Sequence, residues 1–231
     1  MSRVAIIPAR GGSKRIPRKN IKHFLGKPII AYSIEAALKS SLFDEVMVST
    51  DDEEIKGIAL KYGAKVPFFR SEINSNDFAT TADVITEVIS EYEKRNIFFD
   101  YCICIYPTAP FVSAKVLERA LNQLIKGDFD CVFPVLEYSY PIQRALRINN
   151  QNQIEMIDAS KLNVRSQDLQ PTYHDVGQFY AINVNRFKKT KKLWTNNTSP
   201  IIINELEAQD IDNLTDWNLA ELKYKLIHDL P

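Results

Sequence analysis

Residues 8–20, PARGGSKRIPRKN, set Gly11 and Gly12 among Arg10, Lys14, Arg15, Arg18 and Lys19. Glycines let backbone N–H groups come close to a ligand, and Lys and Arg side chains donate to phosphate oxygens. The first 34 residues carry eight Lys and Arg and no Asp or Glu, so an anion as charged as a triphosphate is the expected ligand; the plainer alternative is a solvated basic loop. Neither the G-x-x-x-x-G-K-[ST] loop nor the G-x-G-x-x-G fingerprint occurs here, which sets aside the two commonest phosphate motifs. The opposite charge gathers near the other end. From Leu193 to Leu222 there is no Lys, Arg or His, and the acids include Asp210 and Asp212. In extended chain, residues two apart face the same side about 7 Å from each other. Two carboxylates would then share one space and repel unless a hard cation such as Mg²⁺, completed by substrate phosphate oxygens and water, lies between them. On spacing alone the pair reads equally as an acidic turn ahead of the last helix.

The elements that must position these groups alternate. Strand-like runs are RVAIIPA (3–9), EVMVST (45–50), AKVPFF (64–69), YCICIYP (101–107) and DCVFPVL (130–136), each short and rich in β-branched or aromatic residues. Between them lie helical patterns: one after Pro28, one capped by Asp51 or Asp52, one capped by Thr81 and one capped by Ser113. Strands alternating with helices of this length predict an α/β fold, with a largely parallel sheet covered on both faces. In such sheets, ligands bind beyond the carboxyl ends of strands, where the stretch after Pro8 would sit. The rhythm breaks at residues 137–175, where IQRALRIN and QIEMID predict hairpin strands around a turn at 149–152. Strand character returns in GQFYAINV and PIIINEL, and Thr215 is expected to cap a last helix with Leu219, Leu222 and Leu226 inward. No internal repeat or linker interrupts the chain, so residues 1–231 are read as a single domain with an excursion.

Composition narrows the function classes. Lys and Arg number 29 and Asp and Glu 29, which argues against a general nucleic-acid or anionic-membrane surface. The basic stretch also lacks the interleaved aromatics of single-strand binders. No apolar run is long enough for a membrane span, and the start runs straight into a strand, so a cytoplasmic location is expected. Cys102, Cys104 and Cys131 lie in apolar runs and read as small buried hydrophobes.

IPARGGSKRIPRKN resembles the signature of the CMP-sialic acid synthetase (acylneuraminate cytidylyltransferase) family. STDDEEI (49–55), FFRSEINSNDFATTADVI (68–85), IYPTAPF (105–111), RSQDLQPTYHDVGQFYAIN (165–183) and DIDNLTDWNLAE (210–221) follow in family order. The resemblance implies a Rossmann-like sheet of the nucleotide-diphospho-sugar transferase type, transferring CMP from CTP to the anomeric hydroxyl of a nine-carbon keto-sugar acid. It implies that Arg10, Gly11, Gly12, Ser13, Lys14, Lys19 and Asn20 hold the CTP phosphates, with Arg10 and Lys19 nearest the transferring one. Arg70, Ala79 and Thr81 would surround base and ribose. Asp210 and Asp212 would bind the Mg²⁺ (or Mn²⁺), so Arg10, Lys19 and both aspartates carry the catalysis. From the residues alone, Thr81 is as readily a simple helix cap and Arg70 a surface ion-pair partner.

Tyr106 and Val176 depart from the sialic acid members, which carry Gln and Asn there, and resemble the branch that activates pseudaminic acid. Apolar and aromatic side chains suit a methyl-ended sugar better than a glycerol tail. Tyr106, Thr108, Arg165, Gln167, His174, Asp175, Gln178 and Tyr180 are the candidate sugar-binding residues, with Arg165 facing the carboxylate. Of Phe179 and Tyr180, neighbours on a strand, one at least is expected in the core. The resemblance also implies a homodimer in which the 137–175 insertion reaches the partner's site through Tyr138, Tyr140 and Ile142. The alternatives are an enzyme for sialic, legionaminic or an eight-carbon acid, and a catalytically idle nucleotide-binding module.

Overall fold

The structure is a computed structural model and describes residues 1–230. Its strands are β1 (Arg3–Pro8), β2 (His23–Phe24), β3 (Lys27–Pro28), β4 (Glu45–Ser49), β5 (Tyr101–Ile105), β6 (Cys131–Glu137), β7 (Leu146–Ile148), β8 (Ile154–Met156), β9 (Tyr173–Asp175), β10 (Phe179–Asn183) and β11 (Thr198–Ile202). The helices are α1 (Ile30–Ser40), α2 (Glu53–Lys61), α3 (Thr81–Glu93), α4 (Ala114–Lys126), α5 (Val184–Thr190) and α6 (Leu214–Ile227). The central sheet runs β11-β6-β10-β5-β1-β4, with β9 paired to β6. β4 and β5 flank β1 in parallel and β11 is parallel to β6, while β10 runs antiparallel between β5 and β6. The chain leaves β1 for β4 on one side and returns to β5 on the other. That reversal opens a crevice at the carboxyl ends of β1 and β5.

Alternation along the strands feeds two cores. Ala5, Ile7, Val48, Ile103 and Ile105 meet α1, α2 and α4 on one face. Val4, Ile6, Met47, Cys102 and Cys104 meet α3 and α5 on the other, together with Cys131. All three cysteines are buried. Phe179 joins the first core and Tyr180 the second, so both of these strand neighbours are interior.

A third cluster, Ile16, Phe24, Ile29, Tyr32, Ile211, Trp217 and Ala220, binds the basic loop and the β2–β3 hairpin to α6. The hairpin turn takes positive φ at both Leu25 and Gly26, the geometry a two-residue primed turn requires. Ile16 and Ile211 are almost wholly buried in this cluster, and their burial holds the cationic stretch beside the acidic one.

Several expectations need correction. AKVPFF is not a strand: only Lys65 bridges to Met47, and Pro67, which has no N–H to give the ladder, stands two residues further on. Thr80, not Thr81, caps α3, in a capping box with Asp83, and Asn213, not Thr215, caps α6. Leu222 and Leu226 on α6 are each 65 % exposed and Leu219 is 43 % exposed. The helix instead turns Trp217, Ala220 and Tyr224 toward the third cluster. The hairpin expected around 149–152 is present as β7 and β8, antiparallel and solvent-facing.

Candidate active site

The crevice is a cleft of about 550 Å³ lined by the basic loop, the segment 74–81 and the residues after β5. Arg10, Ser13, Lys14, Lys19 and Asn20 line it, as do Arg70, Ala79, Thr81, Tyr106 and Thr108. Gly11 and Gly12 belong to the same loop without lining the cleft.

Gly11 packs where a side chain could not. Its N–H donates to Asp51 Oδ1 at 3.0 Å, and a Cβ there would sit 2.7 Å from Asp52 Oδ2. Asp52 cannot yield, because it accepts the Ile55 N–H as the cap of α2 and both arms of the Arg18 guanidinium. The Arg18 pair pulls the Asp52 carboxyl down to about 2. Arg18 also reaches Glu54 and holds a left-handed backbone, φ 56°, an uncommon conformation for a residue with a Cβ. Asp51, Asp52 and Arg18 thus lock the shape of the basic loop. Asn20, buried, adds its side-chain amide to the Arg10 carbonyl at 2.9 Å.

Arg70 is buried at the end of β4, where its guanidinium donates to the Ser49 carbonyl at 2.5 Å and to Ser49 Oγ at 3.1 Å. Burial pushes its pKa down against the pull of Asp51. It is a fixed interior cation on the cleft wall, which removes the surface ion-pair reading. Thr81, in the first turn of α3, shares a 2.9 Å hydrogen bond with the Tyr106 hydroxyl.

The acidic pair lies against the basic loop. Lys19 Nζ donates to the Ile211 carbonyl at 2.6 Å, between the two aspartates, and Arg15 pairs with Asp212 at 2.7 Å. Burial lowers the pKa of Lys19, opposed by Asp212 and Asp210. Asp210 is raised by desolvation and then by Asp212, with Lys19 opposing. No cation stands near the pair in sequence, yet two reach it through space.

Among the described residues no group of three or more His, Cys, Asp or Glu side chains gathers around a metal position. Two neighbouring carboxylates, one of them raised first by burial and then by the charge of the other, do fit a Mg²⁺ that takes its remaining ligands from substrate phosphate and water.

Of the sugar-side candidates, Tyr106 and Thr108 line this cleft, and Arg165, Gln167, His174, Asp175, Gln178 and Tyr180 do not. Gly177, at φ 62°, breaks the chain between β9 and β10, and a Cβ there would lie 3.7 Å from Asp210 Oδ1, so this turn abuts the aspartates. Asp175 accepts the Gly177 N–H at 2.8 Å and the Tyr180 hydroxyl. Tyr180 packs edge-on to Tyr106, centroids 5.9 Å apart. Burial raises the pKa of both phenols. Gln178 is buried and ties its amide to the Glu207 carbonyl, beneath the turn. His174 lies against Tyr138, centroids 4.8 Å apart. Arg165 and Gln167 are not brought to the cleft; both are exposed on the excursion, where Gln167 lines a separate groove with Tyr138 and Pro171.

Asp77, which the residue pattern does not single out, also lines the cleft. It pairs with Arg10 at 2.7 Å and with Lys14. Its only sequence signal was its place inside the FFRSEINSNDFATTADVI stretch.

A cationic cleft at the switch point of such a sheet suits a phosphorylated ligand, and the family profile described as Cytidylyltransferase matches residues 4–207. The chain is a member of the cytidylyltransferase family of nucleotidyltransferases. It is 43 % identical to the pseudaminic acid cytidylyltransferase of Campylobacter jejuni, over 99 % of each chain. It is 32 % identical to the CMP-N,N'-diacetyllegionaminic acid synthase of Legionella pneumophila, over 94 % of each. Among solved structures, CMP:2-keto-3-deoxy-manno-octonic acid synthetase complexed with CTP superposes with a TM-score of 0.70 over the full length of both chains, at 19 % identity. That likeness is one of fold.

Proposed function

We propose that this protein transfers CMP from CTP to the anomeric hydroxyl of a nine-carbon keto-sugar acid, pseudaminic acid in particular, and releases pyrophosphate. The observation that carries the reading is a fixed cationic loop that lines the cleft and has the aspartate pair lying directly against it, in a chain 43 % identical to a pseudaminic acid cytidylyltransferase. Tyr106 beside Tyr180, and the buried Val176 next to Gly177, give the sugar side the apolar character that a methyl-ended sugar favours.

In this reading Arg10, Lys14 and Lys19 bind the triphosphate and hold the α-phosphorus in line between the sugar hydroxyl and the leaving pyrophosphate. Arg70 fixes the nucleotide end of the cleft, and Ala79 and Thr81 contact ribose and base. Asp210 and Asp212 would hold Mg²⁺ or Mn²⁺, which on binding supplies Lewis-acid neutralisation of the phosphate charge. Lys19, tethered to the Ile211 carbonyl, stays beside that position with its charge aimed at the transferring group. Pyrophosphate release from CTP with pseudaminic acid, and none with N-acetylneuraminic acid, is the expected outcome of a side-by-side assay; release only with N-acetylneuraminic acid overturns the substrate assignment.

The excursion is the proposed dimer contact. Tyr140 is 82 % exposed, and Ile148 and Ile154 are each 70 % exposed, an apolar display that a second copy would cover. Arg165 and Gln167, outside their own cleft, would then serve the partner's sugar site. Light scattering after size exclusion should give twice the 26.5 kDa chain mass; a species of chain mass alone at micromolar concentration contradicts the dimer. No helix among the described residues is long and apolar enough to cross a membrane, consistent with small-molecule substrates met in solution.

A further inference from the structure

We propose that Asp77 is a resident counter-anion of the phosphate subsite, and that the triphosphate must displace it, so that Asp77 sets the affinity for phosphorylated nucleotide. The inference rests on the phosphate role proposed for Arg10 and Lys14. Asp77 Oδ1 sits 2.7 Å from Arg10 Nη1, and its other oxygen meets Lys14 Nζ. One carboxylate thus spans the two cations with one oxygen on each, as two oxygens of a phosphate would. Arg10 and Lys14 keep further N–H groups free, so it is charge rather than a shortage of donors that drives the exchange: a triphosphate drawn to these two cations brings several negative charges against the carboxylate already there, and like charges in one site repel.

The segment carrying Asp77 is built to present it and to let it go. Ser71 N–H donates to Glu87 at 2.7 Å, and Thr80 pairs with Asp83 in the cap of α3, so both ends are anchored on one helix. Between them Asn76 Oδ1 accepts the N–H groups of Phe78 and Ala79 at 2.7 and 3.0 Å, a turn that holds Asp77 toward the basic loop. Phe78 is 91 % exposed, so no apolar burial holds the tip down. Asp77 is itself solvent-exposed, and its two ion pairs are of the kind individually weak enough for a multiply charged ligand to outcompete. A nucleoside without phosphates has no reason to disturb them.

Calorimetric titration of CTP, inorganic pyrophosphate and cytidine into the wild-type protein and D77N tests this. The displacement predicts CTP and pyrophosphate binding tighter by about ten-fold in D77N, with cytidine unchanged. D77A, which removes any residual acceptor, should behave likewise, and unchanged thermal midpoints in both variants would show the fold intact. Pyrophosphate affinity that stays level or falls in both variants overturns the proposal and makes Asp77 a positioning residue for Arg10 and Lys14. A rise for pyrophosphate without any CTP binding by either protein supports the displacement while removing the nucleotide reading on which the proposed function stands.

Discussion

Asp210→Asn should lower kcat/KM by about 10³-fold without unfolding the protein. The substitution keeps the shape of the side chain and removes only its charge. In the folded protein that charge is unfavourable: desolvation and Asp212 both raise its pKa, and Lys19 compensates in part. A group held at such a cost for structure alone would be relieved by amidation, so the thermal midpoint should stay level or rise while turnover collapses. Asp212→Asn should follow the same pattern, although Asp212 also loses its 2.7 Å pair with Arg15. Steady-state kinetics across a Mg²⁺ titration provides the check. Near wild-type kcat/KM in either variant removes that residue from the metal site.

Lys19→Met should cut kcat by roughly 10²- to 10³-fold, with a smaller change in the KM for CTP. Methionine retains most of the stem and loses the ammonium. Two consequences separate. The Ile211 carbonyl loses its 2.6 Å donor, which costs stability by about 1–3 kcal/mol if no water replaces it and shows as a lower thermal midpoint. In the proposed reaction the transferring phosphate would lose a cation already partly desolvated by burial, where electrostatic interactions are stronger than in water. Lys19→Arg restores the charge but not the compact reach to Ile211, so it should recover only part of the rate. A variant with wild-type kcat and a raised KM alone would show that Lys19 binds substrate without favouring the transition state.

The basic loop, the alternation of strands and helices, and the aspartate pair were legible in the sequence because each is local. Periodicity within about ten residues reveals an amphipathic helix, and a charge run reveals itself by counting. What joined them was not local. Lys19 and Ile211 are 192 positions apart, and their contact follows from the burial of Ile16 with Ile211 in a cluster whose members carry no sign that they belong together. Asp77 lies 63 positions from Lys14, and apart from its place in the 68–85 stretch nothing in its neighbourhood distinguishes it from any exposed loop acid.

Helix α6 fails for a different reason. Leu219, Leu222 and Leu226 share one helical spacing and Trp217, Ala220 and Tyr224 another, so two stripes compete. Periodicity cannot choose between them. Phe24 and Tyr32 choose, because the aromatic stripe packs edge-on against them. Arg165 and Gln167 show the limit of position-by-position likeness within one chain: the motif names them, and the excursion carries them away from their own cleft.

The most direct test of the central claim is to follow the phosphorus of CTP. With the protein, Mg²⁺ and pseudaminic acid, phosphorus NMR and mass spectrometry should show CMP-sugar and pyrophosphate appearing one for one, and EDTA should stop both. Orthophosphate without CMP-sugar, or CTP left intact beside all of the pseudaminic, legionaminic and N-acetylneuraminic acids, would contradict cytidylyl transfer at this cleft.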